Sequence, residues 1–356
     1  MVARNPRGAA SCSIALATLA LVASTVVAHA ATLNVASNGT DSASCGTSSP
    51  CRSISQAIAL AAAGDTIVVG PGRYGDLNDN GTFGETGEEP VPGACGCMID
   101  VDKKLTILSR DGVAATVIDA KGEAVTAVLI EGATASGTVF GKANKGFTIA
   151  GGSGVVGLTI NGGATGVVVA GNTSSYNDFG FRADASGAAF NNNRAVGNLF
   201  QGIYVTATAS IVGNVVTQSA QNGIWLSAGG PHTVKGNVSS GNLGDGILID
   251  AVATGSVVSG NAVLDNGASG IEVTAAGSAT LAKNSIFGNG TAAGPAANCG
   301  LTSAAAVPID ASKSFWGAAS GPGADPADAV CGASAGTVTV LPVATKEVKV
   351  GVKALK

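Results

Sequence analysis

A segment of about 22 residues recurs through the middle of this chain, and the recurrence limits the folds it can adopt. One series consists of glycines that precede an apolar triplet, at intervals of 21 to 24 residues: Gly180, Gly202, Gly223, Gly246 and Gly270. A second consists of asparagines at similar intervals: Asn172, Asn193, Asn214, Asn237, Asn261 and Asn284. A third polar position follows each asparagine by five residues: Asn177, Asn198, Ser219, Asn242, Asn266 and Asn289. Self-similarity at this period indicates a solenoid.

Each repeat contains two or three short β-prone runs separated by Gly and Asn, without a leucine ladder or a helix-length segment. This pattern predicts one turn of a parallel β-helix per repeat. Stacked turns would place equivalent asparagines about 4.8 Å apart, close enough for amide hydrogen bonds from turn to turn. The sequence Asn237-Val238-Ser239 matches a glycosylation pattern, but we expect Asn237 and Asn242 to lie inside such ladders.

Segments on both sides of the repeats carry a resemblance to a known family. Before the repeats stands Ser53–Tyr74, and after them stands Ser314–Asp328, which contains Trp-Gly and Gly-Pro pairs. With the repeats, they resemble the right-handed parallel β-helix family, the pectate-lyase-like superfamily. The resemblance implies an all-β, right-handed parallel β-helix. We expect Trp316 to be an end plug, because an open solenoid end requires capping; the alternative is a platform for a sugar. Ser314 stands where many members have asparagine.

The entry segment also predicts its own local structure. Ser53 and Gln56 form a capping-box pattern, and one helix face would be apolar: Ile54, Ala57, Ile58 and Ala61. Gly64 is expected to end this helix, which would cover the open end of the solenoid, and Thr66–Val69 would form a strand.

The first thirty residues have the features of an export signal, namely Arg4 and Arg7, an apolar run and small residues around Ala30. We divide the chain into this signal (1–30), a cap with first strands and a polar insertion (31–123), a β-helix with a C-terminal cap (124–345) and a tail (346–356). We therefore expect a secreted, extracellular or periplasmic protein without a membrane span. The mature part has 17 basic and 23 acidic residues, which argues against a nucleic-acid partner.

Six cysteines follow the signal: Cys45, Cys51, Cys95, Cys97, Cys299 and Cys331. An even number in an exported chain predicts disulfides. We favour a Cys299–Cys331 bridge. Cys95 and Cys97 are too close in the sequence to bond to each other without strain, so we expect them to pair with Cys45 and Cys51.

Strand parity predicts an outward-facing row of side chains. If Ile203 and Val205 point inward, Tyr204 points outward, because alternate side chains face opposite ways. The same parity exposes Arg182, Tyr204, Trp225, Leu248 and Glu272 in one line on five turns, with Asp184 and Asp250 two residues further on. Aromatic rings beside polar groups suit sugars, so Arg182, Asp184, Tyr204 and Trp225 are candidate contacts to an extracellular polysaccharide. The alternative is that aromatic residues simply favour strands or lie under a loop.

Catalysis is a separate hypothesis. The resemblance implies that an enzyme on this fold would be a polysaccharide lyase or a glycoside hydrolase. For a lyase, the row offers only Arg182 and no lysine. For a hydrolase, Asp250 and Glu272 would lie about 8 Å apart, within the inverting range of about 6.5 to 9.5 Å. A non-catalytic structural or adhesive surface protein, or a periplasmic helper protein, is a further alternative.

Two further segments carry candidate functional residues. Asp76, Asn78, Asn80 and Thr82, with Gly81 between them, match the first half of an EF-hand calcium loop. Glu88 is a further oxygen donor, but Gly87 occupies the place of the expected bidentate glutamate. The loop is therefore either a calcium site or a polar insertion. His232, in a turn after Pro231, is the only histidine after the signal, and we expect it to be solvated rather than catalytic.

Overall fold

The structure is a computed structural model that describes residues 1–3, 30–78, 80, 82–85, 87–89, 95–120, 125–250, 255–290 and 298–351. The export signal predicted for residues 1–30 therefore lies almost wholly outside the described residues. In the described part the strands form three sheets, in which every pairing is parallel. The chain visits the three sheets in turn, and this path makes a right-handed parallel β-helix.

The described strands are numbered in chain order and assigned to sheets A, B and C. Sheet A contains β1 (Thr32–Val35), β2 (Thr66–Val69), β5 (Thr106–Ser109), β8 (Val139–Phe140), β11 (Val168–Ala170), β14 (Ala188–Asn191), β17 (Ala209–Val212), β20 (Thr233–Lys235), β23 (Ser256–Ser259), β26 (Ala279–Thr280), β29 (Ile309–Asp310) and β31 (Val338–Thr339). Sheet B contains β3 (Gly72–Gly75), β6 (Thr116–Asp119), β9 (Thr148–Ala150), β12 (Thr173–Ser175), β15 (Arg194–Val196), β18 (Val215–Thr217), β21 (Val238–Ser240), β24 (Ala262–Leu264) and β27 (Ser285–Phe287).

Sheet C contains β4 (Cys97–Val101), β7 (Thr126–Glu131), β10 (Val156–Asn161), β13 (Phe179–Ala183), β16 (Ile203–Val205), β19 (Ile224–Leu226), β22 (Ile247–Ile249), β25 (Ile271–Val273), β28 (Cys299–Ser303) and β30 (Ala329–Cys331). Strands before residue 124 already belong to all three sheets. The β-helix therefore includes the region that the sequence analysis assigned to the cap and first strands.

The core is a continuous apolar column inside the three sheets. In sheet C, the outer two residues of each short strand point inward and are buried, as Ile203 and Val205 are in β16 and Ile247 and Ile249 are in β22. Burying one such side chain contributes about 1.5 to 3 kcal/mol. The middle residue of each of these strands points outward, which confirms the predicted parity.

The predicted asparagine ladders run through the interior. Asn237 Nδ2 donates to Asn261 Oδ1 at 3.0 Å and to Ile211 O at 2.8 Å, while Asn237 Oδ1 accepts the Asn214 backbone N–H at 2.8 Å. Ser314 accepts the Asn284 N–H at 3.1 Å and so continues the first ladder. Asn237 is fully buried and Asn242 almost so, and both are internal hydrogen-bonding residues, as the repeat predicted.

The second ladder is interrupted at one turn. Asn242, Asn266 and Asn289 are linked by side-chain hydrogen bonds of 2.9 Å, and the series ends on Asp328, which accepts from Asn289 Nδ2 at 2.8 Å. The serine at position 219 is too short to reach its neighbour, so Asn198 Nδ2 and Ser219 Oγ have no partner among the described residues.

A short helix, α1 (Ile54–Leu60), lies at the N-terminal end, and Ile54, Ala57 and Ile58 on it are buried. Ser53 accepts the Gln56 N–H at 3.1 Å, so it is the predicted N-cap. The reciprocal half of the capping box is absent, because Asp41 accepts the Ser53 N–H and Gln56 donates to Ser42 O. The helix ends at Leu60, before Gly64, and Trp316 is fully buried at the other end of the core.

The disulfides confirm one expectation and correct another. Cys299 and Cys331 are bonded, as expected. The expectation that Cys95 and Cys97 pair with Cys45 and Cys51 is wrong, because the bonds are Cys45–Cys51 and Cys95–Cys97. Gly96, at φ +61°, turns the chain so that the Cα atoms of Cys95 and Cys97 are 5.2 Å apart, within disulfide range.

Candidate functional site

The middle residues of five adjacent strands form a row on the outer face of sheet C. Arg182 pairs with Tyr204, Tyr204 with Trp225, Trp225 with Leu248, and Leu248 with Glu272 in the parallel register. All five side chains are partly exposed. The structure therefore brings together the row that sequence parity predicted, and we call it the sheet C row.

Four aromatic rings follow one another across this face. The rings of Phe200 and Phe179 are 5.4 Å apart, those of Phe179 and Tyr204 are 5.7 Å apart, and those of Tyr204 and Trp225 are 5.0 Å apart. All three pairs are tilted, a geometry that aromatic quadrupoles favour over face-to-face stacking. Phe200 is 38% exposed at the margin. The result is a partly exposed aromatic strip that crosses three turns.

Polar groups border the aromatic strip. Arg182 Nε donates to Asp184 Oδ2 at 2.7 Å, and Thr206 Oγ1 donates to Asp184 Oδ1 at 2.8 Å. The Arg182 guanidinium lies 5.6 Å from the centre of the Tyr204 ring, within cation–π range. The Tyr204 hydroxyl donates to Ser227 Oγ at 3.4 Å. These contacts fix Arg182 and Tyr204 in place beside the rings.

A carboxyl pair lies at the other end of the row. The Asp245 carboxyl is 6% exposed, hydrogen-bonds Glu272 and accepts the Ser269 N–H at 2.9 Å. Burial, then the nearby Glu272 charge, raises the pKa of Asp245 from 3.8 to about 7. The Asp245 carboxyl therefore stays protonated to a higher pH than an ordinary aspartate.

The alternation of side chains along the strands did not identify Asp245, Phe179 or Phe200 as residues of the site. Asp245 and Phe179 precede the glycine that opens each sheet C repeat, a position occupied by Phe179, Gln201, Asn222, Asp245 and Ser269 in successive turns. Aligning the repeats at this position would have identified a side chain that recurs once per turn. In the structure these side chains stack, since Asn222 Oδ1 accepts the Asp245 N–H and Asp245 Oδ1 accepts the Ser269 N–H. Phe200 gave no such signal, because it lies in an irregular loop.

Asp250 and Glu272, the carboxylate pair expected from the sequence, lie on neighbouring turns. Asp250 directly follows β22, and its Oδ1 accepts the Thr274 hydroxyl at 3.1 Å. The carboxyl that contacts Glu272 is that of Asp245. The catalytic pairing of Asp250 with Glu272 stays a prediction.

The proposed calcium loop is closed by internal hydrogen bonds. Asp76 Oδ1 and Asn78 Oδ1 both accept the Asn80 N–H, at 3.2 and 3.0 Å, and Asn80 Oδ1 accepts the Thr82 N–H at 2.7 Å. The Glu88 carboxylate accepts the Leu77 and Glu85 N–H groups at 3.1 and 3.2 Å. These oxygens converge on one loop but already have donors, so calcium binding stays a prediction.

His232 is not solvated, contrary to expectation. It is 1% exposed; its Nδ1 accepts the Ala209 N–H at 3.3 Å, and Nε2 lies 3.1 Å from Ala228 O. Burial lowers the pKa of His232. The ring is a structural link between turns, because its two nitrogens contact the backbone of Ala209 and Ala228.

In the described part of the chain, no helix is long and apolar enough to cross a membrane.

Several solved structures are similar to this chain. The A-module of Azotobacter vinelandii mannuronan C-5 epimerase AlgE4 is 14% identical, with a TM-score of 0.48, 80% of this chain and 89% of that chain being covered. A rhamnogalacturonan lyase is 11% identical, with a TM-score of 0.43 and coverage of 88% and 86%. Pectate lyase Pel9A is 14% identical, with a TM-score of 0.31 and coverage of 90% and 80%. Similarity at this level carries no argument about activity.

No curated protein matches the chain. Two family models do. One, described as a protein of unknown function (DUF1565), matches residues 37–92, which include α1 and the Asp76 loop. The other matches residues 107–300, more than half of the chain, and these residues include the whole sheet C row. The chain therefore belongs to the family described as periplasmic copper-binding protein (NosD).

Proposed function

We propose that this protein binds an extracellular polysaccharide along the outer face of sheet C. The observation that carries the proposal is the aromatic strip, in which Tyr204 and Trp225 lie in register, 5.0 Å apart, on a partly exposed sheet. Rings of this kind offer an apolar surface for sugar faces, and adjacent polar groups can bond sugar hydroxyls. The regular rise of about 4.8 Å per turn suits an extended polymer better than a small compact ligand.

The polar border supports the same function. Asp184, Thr206 and Ser227 place carboxylate and hydroxyl oxygens beside the rings. Trp225 Nε1 is buried and has no hydrogen-bond partner among the described residues, so the ring is held by packing and its outer surface is the part available to a sugar. The row thus combines an apolar floor with fixed hydrogen-bonding groups.

Export of the protein is part of the proposal. The signal-like residues 1–30 and the description of the family as periplasmic both favour a location outside the cytoplasm. The described disulfides fit an oxidising compartment. An exported protein would meet an extracellular polysaccharide, so the proposed location and the surface chemistry agree.

Catalysis is not needed for this function. Asp245 and Glu272 are within hydrogen-bonding contact, closer than the roughly 5 Å that separates the carboxyl groups of retaining glycosidases. A hydrolase would therefore have to use Asp250 with Glu272, as the sequence hypothesis states. A lyase would have to use Arg182, whose charge is already paired with Asp184.

We propose no copper site, although the family description names copper. Copper sites in proteins use imidazole, thiolate and thioether ligands. Among the described residues, the one histidine that follows the signal is buried with both ring nitrogens in backbone contacts, and the cysteines are in disulfides. Met98, which is 3% exposed, offers a single buried thioether. The described donor set therefore does not fit copper.

The experiment is a screen of the mature protein against a polysaccharide panel, with binding and product release measured separately. Binding that is lost in Trp225→Ala supports the proposal. Product release that is lost in Asp250→Ala would make the protein a hydrolase. Absence of binding to every glycan, by a protein that is folded, would contradict the proposal.

A further inference from the structure

Charge is distributed unevenly around the β-helix. Between Val156 and Ala304 the chain has six acidic residues. Asp265 directly follows β24 of sheet B, and the other five lie in sheet C or next to the ends of its strands: Asp178, Asp184, Asp245, Asp250 and Glu272. Of the four basic residues in this range, Arg194 lies in sheet B, Lys235 in sheet A, and Lys283 between β26 and β27. The face that carries the aromatic strip is therefore acidic, and the other two sheets carry most of the basic charge.

The single basic residue of this face is already paired. Arg182 Nε lies 2.7 Å from Asp184 Oδ2, and the Asp184 side chain is only 19% exposed. A uronate carboxylate that approached Arg182 would have to displace this partly buried ion pair, and the same row carries the Glu272 carboxylate with Asp250 beside it. Like charges placed across an interface disfavour binding.

Acidic groups lie along the expected path of a bound polymer. Glu272 is two turns from Trp225 in the same row, a separation of about 10 Å. Asp250 flanks the row on one side and Asp245 on the other. When one sugar unit of a bound polymer packs on Trp225, the adjacent sugar units of that polymer therefore lie beside these carboxyl groups.

We propose that the ligand of this face is a cationic polysaccharide that contains unacetylated amino sugars. This inference rests on the proposed function and names its ligand class. The rings bind the sugar faces, and the Glu272 side of the row binds ammonium groups of the same chain. Charge complementarity favours this class over uronate polymers, which would be repelled, and over fully acetylated amino sugars, which would gain only the ring contacts.

The test compares three oligosaccharides of equal length at slightly acidic pH and moderate salt, by isothermal titration calorimetry: an unacetylated glucosamine oligomer, its N-acetylated counterpart and a uronate oligomer. The variants are Glu272→Gln, Trp225→Ala and the control Asp111→Asn, which removes an exposed acid after β5 whose ion-pair partner is Arg110.

We expect the unacetylated oligomer to bind at least about ten-fold more tightly than the others, a difference of about 1.4 kcal/mol. Glu272→Gln should weaken only this oligomer, several-fold, Trp225→Ala should weaken binding generally, and Asp111→Asn should change nothing. Equal losses in Asp111→Asn and Glu272→Gln would mean non-specific attraction and would overturn the inference.

The failure of this inference is distinguishable from failure of the proposed function. Tighter binding of the uronate or N-acetylated oligomer, lost in Trp225→Ala, would overturn the ligand class and leave the proposed function intact. No binding of any of the three, or of any polysaccharide in the panel, would overturn both.

Discussion

The rings of Tyr204 and Trp225 lie 5.0 Å apart on adjacent turns of the β-helix, at an angle of 60°. Their partly exposed position contrasts with that of Trp316, which is fully buried at the C-terminal end of the core. The two tryptophans of the chain therefore report on different parts of the molecule.

Glycan binding should change the fluorescence of one tryptophan only. In a Trp316→Phe variant, a bound glycan should shift the emission of Trp225 to shorter wavelength, because the sugar excludes water from the ring, and should protect it from acrylamide quenching. The matched variant Trp225→Phe, which retains Trp316, should show no change. A shift in the Trp316 signal alone would contradict the placement of the ligand on sheet C.

Asn237→Ala should reduce the free energy of unfolding by about 2 to 4 kcal/mol. The change leaves the buried Ile211 carbonyl and Asn214 N–H without their hydrogen-bond partners, and each such group costs about 1 to 3 kcal/mol. Urea denaturation monitored by circular dichroism measures the loss. Lys235→Ala, an exposed change in the same turn, is the control and should alter stability by less than about 0.5 kcal/mol. Equal effects of the two changes would show that Asn237 is not a structural link.

The free energy of unfolding should decrease as pH rises from about 4 to about 7, because Asp245 is more easily deprotonated in the unfolded state than in the folded one. Its pKa in the folded state, about 7, is above the ordinary value of 3.8, because burial and, second, the nearby Glu272 charge raise it. The folded state therefore binds more protons than the unfolded state between these values, and stability falls as pH rises through this window.

The comparison is with Asp245→Asn, which has no carboxyl proton to lose. The variant should gain stability relative to the natural protein across this pH window, by about 1 to 4 kcal/mol at its upper end. Glu272→Gln should lower the titration midpoint of Asp245, as read from carboxyl chemical shifts in nuclear magnetic resonance. A midpoint of Asp245 that stays in the ordinary acidic range in the natural protein would contradict the raised pKa.

Calcium should raise the thermal transition midpoint by a few degrees if the Asp76 loop binds it, because a ligand that binds only the folded state stabilises it. Asp76→Asn should abolish the calcium-dependent part of the shift, and magnesium, which needs a stricter octahedral geometry, should have a smaller effect. An unchanged midpoint over a full calcium titration would dismiss the metal and leave a polar insertion.

The features that could be predicted are those that recur once per turn. The parity of Ile203 and Val205 placed Tyr204 on the outer face, and the spacing of Asn237 and Asn261 defined an internal ladder. Stacking repeats the same local geometry in every turn, so a residue's place in the repeat determines its position in space.

The features that could not be predicted depend on irregular segments. The Cys95–Cys97 bond requires the left-handed conformation of Gly96, and the burial of His232 requires the particular path after β19. Asp245 lies in a loop before its strand, where alternation along a strand gives no direction. Its pKa also depends on burial and on Glu272 in the next turn.

The most direct test of the proposed function is the dissociation constant of a bound polysaccharide for Trp225→Ala compared with Phe287→Ala, each measured by titration calorimetry. Both changes remove a partly exposed ring, but Phe287 lies in sheet B, where it packs against Phe315. The proposed function predicts a loss of at least about ten-fold in affinity, or about 1.4 kcal/mol, for Trp225→Ala and no loss for Phe287→Ala. Equal affinities of the two folded variants would contradict binding along the outer face of sheet C.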